Sequence, residues 1–293
     1  MQTARTSPPG NRGAIDALGQ RFAPAGADAR IASLVPSLTE TLFDLGLGAQ
    51  VVARTGFCIH PAEAVRAIPK VGGTKDVKLA RLRALAPSHV LVNVDENTRE
   101  TVAALRSFVP HVVVTHPQVP ADNLALLQLL GDLFGSVPEV NARARALADA
   151  LRVQLTDLAA QSWPARRVLY LIWREPWMTV ARDTYIARTL ACVGWSTLPE
   201  VAGGDGMATP GAARYPVFDW DAPWLREVDL VLLSTEPYRF QPRHMDAVRD
   251  LLAARGLRPE ARLIDGEWCS WYGSRAARSL PRLAALAASV NAA

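Results

Sequence analysis

The sequence contains few cysteines, and their spacing matches no common cysteine-based site. Cys58, Cys192 and Cys269 are odd in number and lie far apart in the chain. They therefore predict neither a disulfide framework nor a Cys-x-x-Cys metal pair. The five histidines also show no His-x-x-x-His spacing. Together these absences argue against a dedicated site for a bare zinc or manganese ion.

Long apolar runs are missing as well. No stretch approaches the roughly 20 apolar residues of a membrane-spanning helix, so we expect no membrane insertion. Residues 1–29 are rich in Arg, Pro, Gly and Ala and contain no apolar core of a secretory signal. From the printed chain we expect a cytoplasmic protein. The alternative is a periplasmic location, if the start is truncated.

The charge and the glycine motifs exclude several classes of function. The net charge of +4 is small, and the basic residues are scattered instead of forming a run, so we expect no nucleic-acid binding. Gly-x-Ser-x-Gly is absent, and Gly72-Gly-Thr-Lys75 lacks the spacing of a phosphate-binding loop. Gly203-Gly-Asp-Gly206 does not follow a first strand, as a dinucleotide fingerprint would.

The segment from Arg30 to Gly48 predicts a strand, a turn and a helix. Ile31 to Val35 is a short apolar run stopped by Pro36. Ser37 and Glu40 have capping-box spacing, which predicts a helix that begins at Ser37. In open α/β sheets ligands bind beyond the carboxyl ends of strands, so this turn is a candidate binding position. An ordinary strand–helix unit without a ligand is the alternative.

Two series of alternating strands and helices flank a helical region. The first series has strands at 51–54, 89–93 and 111–115 and helices at 79–86 and 98–108. The second has strands at 167–173, 229–235 and 262–265 and helices at 184–193, 242–255 and 275–288. Between them, residues 138–161 predict one helix of roughly 36 Å. The alternation indicates mostly parallel sheets.

The segment 30–48, its lead-in at 14–19 and the loop 269–275 resemble a family of receptors for vitamin B12, ferric siderophores and haem. These are periplasmic-binding-protein-like receptors of the class III type. The resemblance implies an α/β fold with two Rossmann-like lobes joined by a single long α-helix. The predicted divisions are a flexible arm at 1–13, a first lobe at 14–120, a helical connector at 121–163 and a second lobe at 164–293.

Residues that directly follow strands are the candidates to face a cleft between the lobes. In the first lobe, Asp95 and Glu96 are expected mainly to cap the helix that follows them. A soft metal or a corrinoid cobalt could use the side chain of either Cys58 or His60, although a lone loop histidine more often only forms hydrogen bonds. The ligand-binding candidates of this lobe are Ser37, Phe57, Cys58, His60, Glu96 and Asn97.

The second lobe contributes a different chemistry, because all eight tryptophans lie in the second half of the chain. Aromatic side chains after strands offer stiff surface to a flat ligand such as a corrin or porphyrin, and packing within the loops is the alternative. An arginine there can hold a carboxylate or phosphate. The candidates are Arg174, Trp177, Glu236, Tyr238, Trp271, Tyr272 and Arg275.

The resemblance implies a non-catalytic solute-binding protein for a bulky cofactor or metal chelate. Cobalamin or another corrinoid is the first choice, and ferric siderophore or haem comes next; no cofactor is expected to be required for folding. Whether a metal is bound directly stays open. An exported ABC-transporter component with its leader missing is one alternative, and an enzyme that uses the Cys58/His60 loop is another.

The expected partners follow from the same resemblance. Exported relatives present an acidic residue on each lobe to the membrane permease. Here Ala80 stands where a glutamate is expected in the first lobe, whereas Asp221 is a candidate in the second. We therefore expect a monomer that binds a small molecule and doubt that it docks on an ABC permease.

Overall fold

The computed structural model describes residues 14–204 and 211–291, so the predicted arm at 1–13 lies outside the described residues. Its strands are β1 Ala14–Ile15, β2 Arg21–Phe22, β3 Ile31–Ser33, β4 Val51–Arg54, β5 His89–Asn93, β6 His111–Thr115, β7 Arg166–Leu171, β8 Trp195–Thr197, β9 Leu230–Ser234 and β10 Glu260–Ile264. Strands β1 and β2 form a short antiparallel hairpin.

The helices of the described residues are α1 Pro36–Asp44, α2 Ala62–Val65, α3 Leu79–Ala84, α4 Arg99–Leu105, α5 Asp122–Phe134, α6 Val140–Ala159, α7 Tyr185–Ala191, α8 Gly211–Arg214, α9 Pro242–Ala253, α10 Glu267–Ser270 and α11 Arg275–Asn291. Short 3-10 turns occur at Gly48–Gln50 and Pro223–Glu227. None of the helices in the described part of the chain is both long enough and apolar enough to cross a bilayer.

Two four-stranded sheets form the centres of two α/β lobes. Their strand orders are β4-β3-β5-β6 in the first lobe and β10-β9-β7-β8 in the second. All strand pairs within both sheets are parallel. The central strands β5 and β9 are buried along their whole length, as expected for parallel strands covered on both faces. The two-lobed α/β fold expected from the sequence is confirmed.

Helix α6 connects the two lobes and takes part in both cores. Val140 and Ala144, near its start, pack in the core of the first lobe. Leu151 and Leu158, towards its end, pack in the core of the second. With 20 residues, the helix spans roughly 30 Å. Because both ends are fixed in hydrophobic cores, α6 is a stiff connector.

Several local predictions differ from the structure. Helix α1 begins at Pro36 with Val35 as its N-cap, and the Ser37 side chain makes no capping hydrogen bond; the predicted capping box is wrong because proline fixes the first helical turn one residue earlier. Helix α4 is capped by Thr98, so Asp95 and Glu96 lie before it and are free for other contacts. Strand β8 went unpredicted because it has only three residues.

Candidate functional site

The carboxyl ends of the two sheets face each other, and the loops that follow the strands meet along a polar interface. We call this interface the seam. It brings the loop after β4, the loop after β5 and helix α1 of the first lobe against α8, α10 and the start of α11 of the second lobe. Charged side chains join the lobes at three places along it.

The first connection pairs Glu40 of α1 with Arg275 of α11. Nε and Nη2 of Arg275 each donate to a different Glu40 carboxylate oxygen at 2.7 Å. Nη1 of Arg275 donates to Glu267, and its guanidinium carbon lies 4.6 Å from the centre of the Trp271 ring. Although burial disfavours the charged form, hydrogen bonding and charge from Glu40 raise the pKa of Arg275. This fork-shaped pairing fixes the orientation of one lobe against the other.

Backbone contacts beside this ion pair strengthen the connection. The amide of Ser274 donates to Thr41 Oγ1 at 3.1 Å, and the amide of Gly273 donates to Asn123 Oδ1 at 2.5 Å. Gly273 has a φ of +78° and packs so closely that an added Cβ would lie 2.1 Å from Thr41 Oγ1. Only glycine fits this close contact between the lobes.

The second connection lies at His60, in the loop after β4. Its Nε2 is 3.0 Å from Oε1 of Glu267, which follows β10. The imidazole also stands edge-on to the Trp271 ring, with 5.4 Å between ring centres. Glu267 thus contacts both His60 and Arg275 and links the first two connections.

The third connection pairs Asp95, after β5, with Arg214 at the end of α8. Nε and Nη2 of Arg214 lie 2.9 Å from the two carboxylate oxygens of Asp95. The Arg214 side chain is only 1% exposed. His116 Nε2 is 3.9 Å from the same carboxylate. The charge of Asp95 is therefore used in pairing and does not cap a helix as the sequence suggested.

Two further glutamates at the seam make no ion pair within the described residues. Glu96 lies in the loop after β5, and Glu236 lies in the loop after β9, where it accepts a hydrogen bond from Ser270 Oγ. Burial is the main cause that raises the pKa of each carboxyl group to about 7. Asp95 adds to the effect on Glu96, and Glu267 and Glu96 add to that on Glu236.

Two buried hydroxyl groups lie beside these glutamates. Ser37 and Tyr272 are 3% and 5% exposed, and neither hydroxyl makes a hydrogen bond of good geometry to another described residue. Burial and the charge of Glu96 raise the pKa of Tyr272 well above its usual value, and the nearby Ser37 hydroxyl offsets only part of this rise. The seam thus holds polar groups from both lobes with capacity left for a ligand.

These raised carboxyl pKa values predict a pH-dependent stability. A carboxyl group with a pKa of about 7 in the folded protein and a lower one when unfolded loses stabilisation as pH rises through that value. We expect Glu236→Gln to melt at a higher temperature than the wild type at about pH 8 and at a similar temperature at about pH 5. Glu100→Gln, on the exposed face of α4, is the control. Parallel wild-type and Glu236→Gln melting profiles over this range would contradict the assignment.

Residues 31–212 match the model of a family described as periplasmic binding protein. The chain belongs to the periplasmic binding protein family. Among curated relatives, the vitamin B12-binding proteins of Vibrio campbellii and Vibrio parahaemolyticus are each 25% identical, over 208 and 210 residues, and each alignment covers 70% of both chains.

Solved structures show that the periplasmic binding protein fold extends over nearly the whole chain. The periplasmic vitamin B12 binding protein of Vibrio cholerae superposes with a TM-score of 0.70 at 16% identity, covering 89% of this chain and 97% of the other. A periplasmic heme binding protein from Pseudomonas aeruginosa superposes with a TM-score of 0.66 at 22% identity, covering 88% of this chain and 91% of the other. At such identities these matches establish the fold alone.

Within this periplasmic binding protein, the candidates of the first lobe separate into two groups. Ser37, His60 and Glu96 lie at the seam, as described above. Asn97 is buried and structural, because its Nδ2 donates to Thr74 O at 2.8 Å and its Oδ1 accepts from a backbone amide. Cys58 is inside the lobe with 0% exposure, whereas Phe57 is 62% exposed.

The second-lobe candidates also separate. Trp271, Tyr272, Arg275 and Glu236 lie at the seam. Arg174, Trp177 and Tyr238 lie beside the seam and form a largely aromatic surface together with Trp173. The ring centres of Trp173 and Tyr238 are 5.6 Å apart. The guanidinium carbon of Arg174 lies 5.7 Å from the centre of the Trp177 ring. The ring centre of Trp177 is also 5.2 Å from that of the buried Trp220. Trp177 therefore packs within the loops, the alternative considered from the sequence, as well as contributing to this surface.

Sequence reasoning missed several seam residues. Glu40 was predicted only as part of a capping box and no site role was predicted for Glu267, although both pair with Arg275. Arg214 gave no signal, because it lies between predicted elements and its partner Asp95 is 119 residues away. Charged residues near strand ends in both halves were the available signal, but the sequence alone cannot pair them.

Proposed function

We propose that this chain binds a corrinoid, cobalamin or a close analogue, between its two lobes without changing it chemically. The observation that carries the proposal is the similarity to vitamin B12-binding proteins over 70% of the chain. Ferric siderophore and haem are the next candidates, since heme binding proteins share the fold. The seam supports the location, because it lies at the carboxyl ends of both parallel sheets, where α/β proteins bind ligands.

The side chains around the seam suit a large ligand with apolar faces. In the first lobe, Phe57 and Ile59 are 62% and 51% exposed, and in the second Trp173 is 39% exposed. Such aromatic and aliphatic surface supports flat or bulky ligands. Because the lobes contact each other directly at the seam, a ligand enters only when the Asp95–Arg214 and His60–Glu267 pairs separate.

Binding without catalysis is the better interpretation of the loop after β4. The Cys58 thiol is fully buried, and burial raises its pKa, whereas a nucleophilic cysteine needs an accessible thiolate. Its sulfur lies 3.1 Å from the hydroxyl oxygen of Thr55, which is itself fully buried. His60 is oriented by Glu267 towards Trp271 and so serves the contact between the lobes.

We further propose that the protein works as a cytoplasmic monomer that binds, stores or senses its ligand instead of docking on a permease. Ala80 is exposed on α3 and is flanked by the exposed cations Lys78 and Arg81, so this face lacks the acidic contact that exported relatives are expected to use. Asp221 is exposed but pairs with Arg255 at 2.7 Å. Cell fractionation of the natural full-length protein tests the location, and recovery in the periplasm would favour the transport alternative.

Ligand titrations followed by absorbance test the binding proposal. We expect the absorbance spectrum of cyanocobalamin to shift when the protein is added. We also expect cyanocobalamin to raise the melting temperature of the protein more than haemin or a ferric siderophore does. Phe57→Ala should weaken binding about tenfold, because an exposed aromatic contact is lost. Val153→Ala, which removes an exposed apolar side chain on α6, is the matched control. A corrinoid that leaves both the spectrum and the melting temperature unchanged would contradict the proposal.

A further inference from the structure

The lysines of this chain are confined to one short segment. All of them, Lys70, Lys75 and Lys78, lie between positions 70 and 78, and every other basic residue is an arginine or a histidine. Residues 70–83 have a net charge of +4, which equals the net charge of the whole chain. The rest of the chain therefore has as many acidic as basic side chains, and the positive excess is concentrated in this segment.

The fold holds these cations on a hairpin and on the helix that follows it. The amide of Lys78 donates to Val71 O at 2.8 Å, and the amide of Gly73 donates to Asp76 O at 2.9 Å, which closes the hairpin. Helix α3 begins directly after Lys78. We call the exposed cations of this unit the basic face, and its members are Lys70, Lys75, Lys78 and Arg81.

The basic face forms no ion pair within residues 14–204 and 211–291. Asp76, in the same hairpin, is exposed and lies outside ion-pair distance of these cations. The charge of Lys75 offsets part of the rise in the pKa of Glu96, but the two side chains are also too far apart for an ion pair. Like charges that lie close together and lack counterions repel each other, so the cluster does not stabilise the fold.

Helix α3 does not require these charges either. Lys78 is its N-cap, and the first turn contains no acidic residue, although a cation at a helix start opposes the positive end of the helix dipole. At the other end, Arg30 donates to Leu85 O at 2.7 Å and to Ala86 O at 3.1 Å. The carbonyl groups there are thus satisfied by a side chain from outside the basic face.

The surface between the cations is flat and polar. Ala80 and Ala84 are exposed on α3, and no large apolar side chain of residues 70–86 is exposed, so the face offers nothing to insert into a bilayer. The guanidinium carbon of Arg83 lies 4.6 Å from the centre of the Phe108 ring, which covers the nearest ring of α4 and its flank. Small side chains between cations allow the close approach of another protein surface.

The hairpin lies beside the loop after β4, at the mouth of the cleft. The amide of Gly56 donates to Gly72 O at 2.7 Å, and the Phe57 ring lies against Gly73, with Cε2 3.3 Å from the position of an added Cβ. Thr74 O accepts from Asn97 Nδ2 at 2.8 Å. A partner bound to the basic face is therefore next to the loop that carries Phe57.

We propose that the basic face is a docking surface for an acidic segment of another protein. Charge complementarity defines the partner, because four unpaired cations attract a cluster of Asp and Glu side chains and disfavour a basic surface. This inference goes beyond the proposed function and does not depend on which ligand the cleft binds.

Binding of a short glutamate-rich peptide tests the proposal. The peptide carries a fluorescent label, and its anisotropy is followed at an ionic strength of about 0.15 M, where isolated surface charges are largely screened. We expect the wild type to bind it and the combined Lys75→Glu, Lys78→Glu and Arg81→Glu variant to bind about tenfold more weakly, since three exposed charge pairs are lost. Lys78→Glu places a carboxylate at a helix start, where it is favourable, so this variant should melt no lower than the wild type.

A matched variant separates the basic face from the overall charge. Arg145→Glu, Arg188→Glu and Arg226→Glu together change the net charge equally, and all three residues are exposed and lie outside the basic face. This variant should keep the wild-type affinity. The bound peptide should also slow acylation of the lysines by an amine-directed reagent, because the chain has no lysine elsewhere.

Three results would overturn the proposal. These are a wild type that does not bind the peptide, an equal loss of affinity in the two triple variants, and tighter binding of a DNA duplex or of phosphatidylglycerol vesicles through the same face. Each of them leaves the corrinoid proposal untouched, since that proposal is tested by ligand titration without the peptide.

Discussion

Replacing Arg275 by alanine should lower the free energy of unfolding by about 3 to 5 kcal/mol, the usual cost of breaking a buried ion pair by removing one partner. The Arg275 side chain is 12% exposed and that of Glu40 is 11% exposed. The variant leaves Glu40 and Glu267 without their shared guanidinium and removes the cation from the Trp271 ring. Thermal and urea unfolding of both proteins measure the loss.

Arg278→Ala provides the matched control. Nη2 of Arg278 lies 3.0 Å from a carboxylate oxygen of Glu40 and from one of Asp44, but the Arg278 side chain is 46% exposed. Its removal should therefore lower the free energy of unfolding by less than about 1 kcal/mol. Arg275→Lys keeps the charge but cannot form the two-pronged contact, and we expect an intermediate loss. Equal losses for Arg275→Ala and Arg278→Ala would show that burial does not strengthen this connection.

Gly273→Ala should cost roughly 3 kcal/mol, because the left-handed backbone disfavours a side chain and the new methyl group overpacks the contact. The added Cβ would approach Thr41 Oγ1 to 2.1 Å. The two causes can be separated with Gly256→Ala, since Gly256 has a φ of +73° and no heavy atom within 4 Å of an added Cβ.

Gly256→Ala should therefore cost about 1 to 2 kcal/mol from the backbone alone. The additional loss of stability in Gly273→Ala, compared with Gly256→Ala, measures how tightly the lobes are held together at Thr41. Thr41→Ala in the Gly273→Ala background should recover part of the excess but lose the hydrogen bond from the Ser274 amide. If the two glycine variants are equally stable, the close contact between α1 and the start of α11 is not maintained in solution.

These contacts restrict how the cleft opens. Helix α6 is fixed in both cores, and the Glu40–Arg275 and Thr41–Gly273 contacts hold the lobes together at a second place. The His60–Glu267 pair is more exposed, since the His60 side chain is 34% exposed. We therefore expect ligand entry to separate the His60–Glu267 pair first, while α1 and the start of α11 stay together.

The sequence by itself determined the succession of the main strands and helices. Strands β4, β5 and β6 were predicted with the bounds that the structure has, because short apolar runs between turn residues are typical of buried parallel strands. The connecting helix followed from apolar positions spaced by three and four residues. The family followed from the segment 30–48 and the loop 269–275, and it is confirmed.

Only the tertiary structure decided which charged side chains meet. Glu40 and Arg275 are 235 residues apart in the chain, and local patterns carry no information about such a pair. The sequence placed Glu96 and Glu236 after strands but could not show that Asp95 would take the nearby arginine and leave them unpaired. Local periodicity therefore determined the strands and helices, whereas the polar seam depends on how the two lobes face each other.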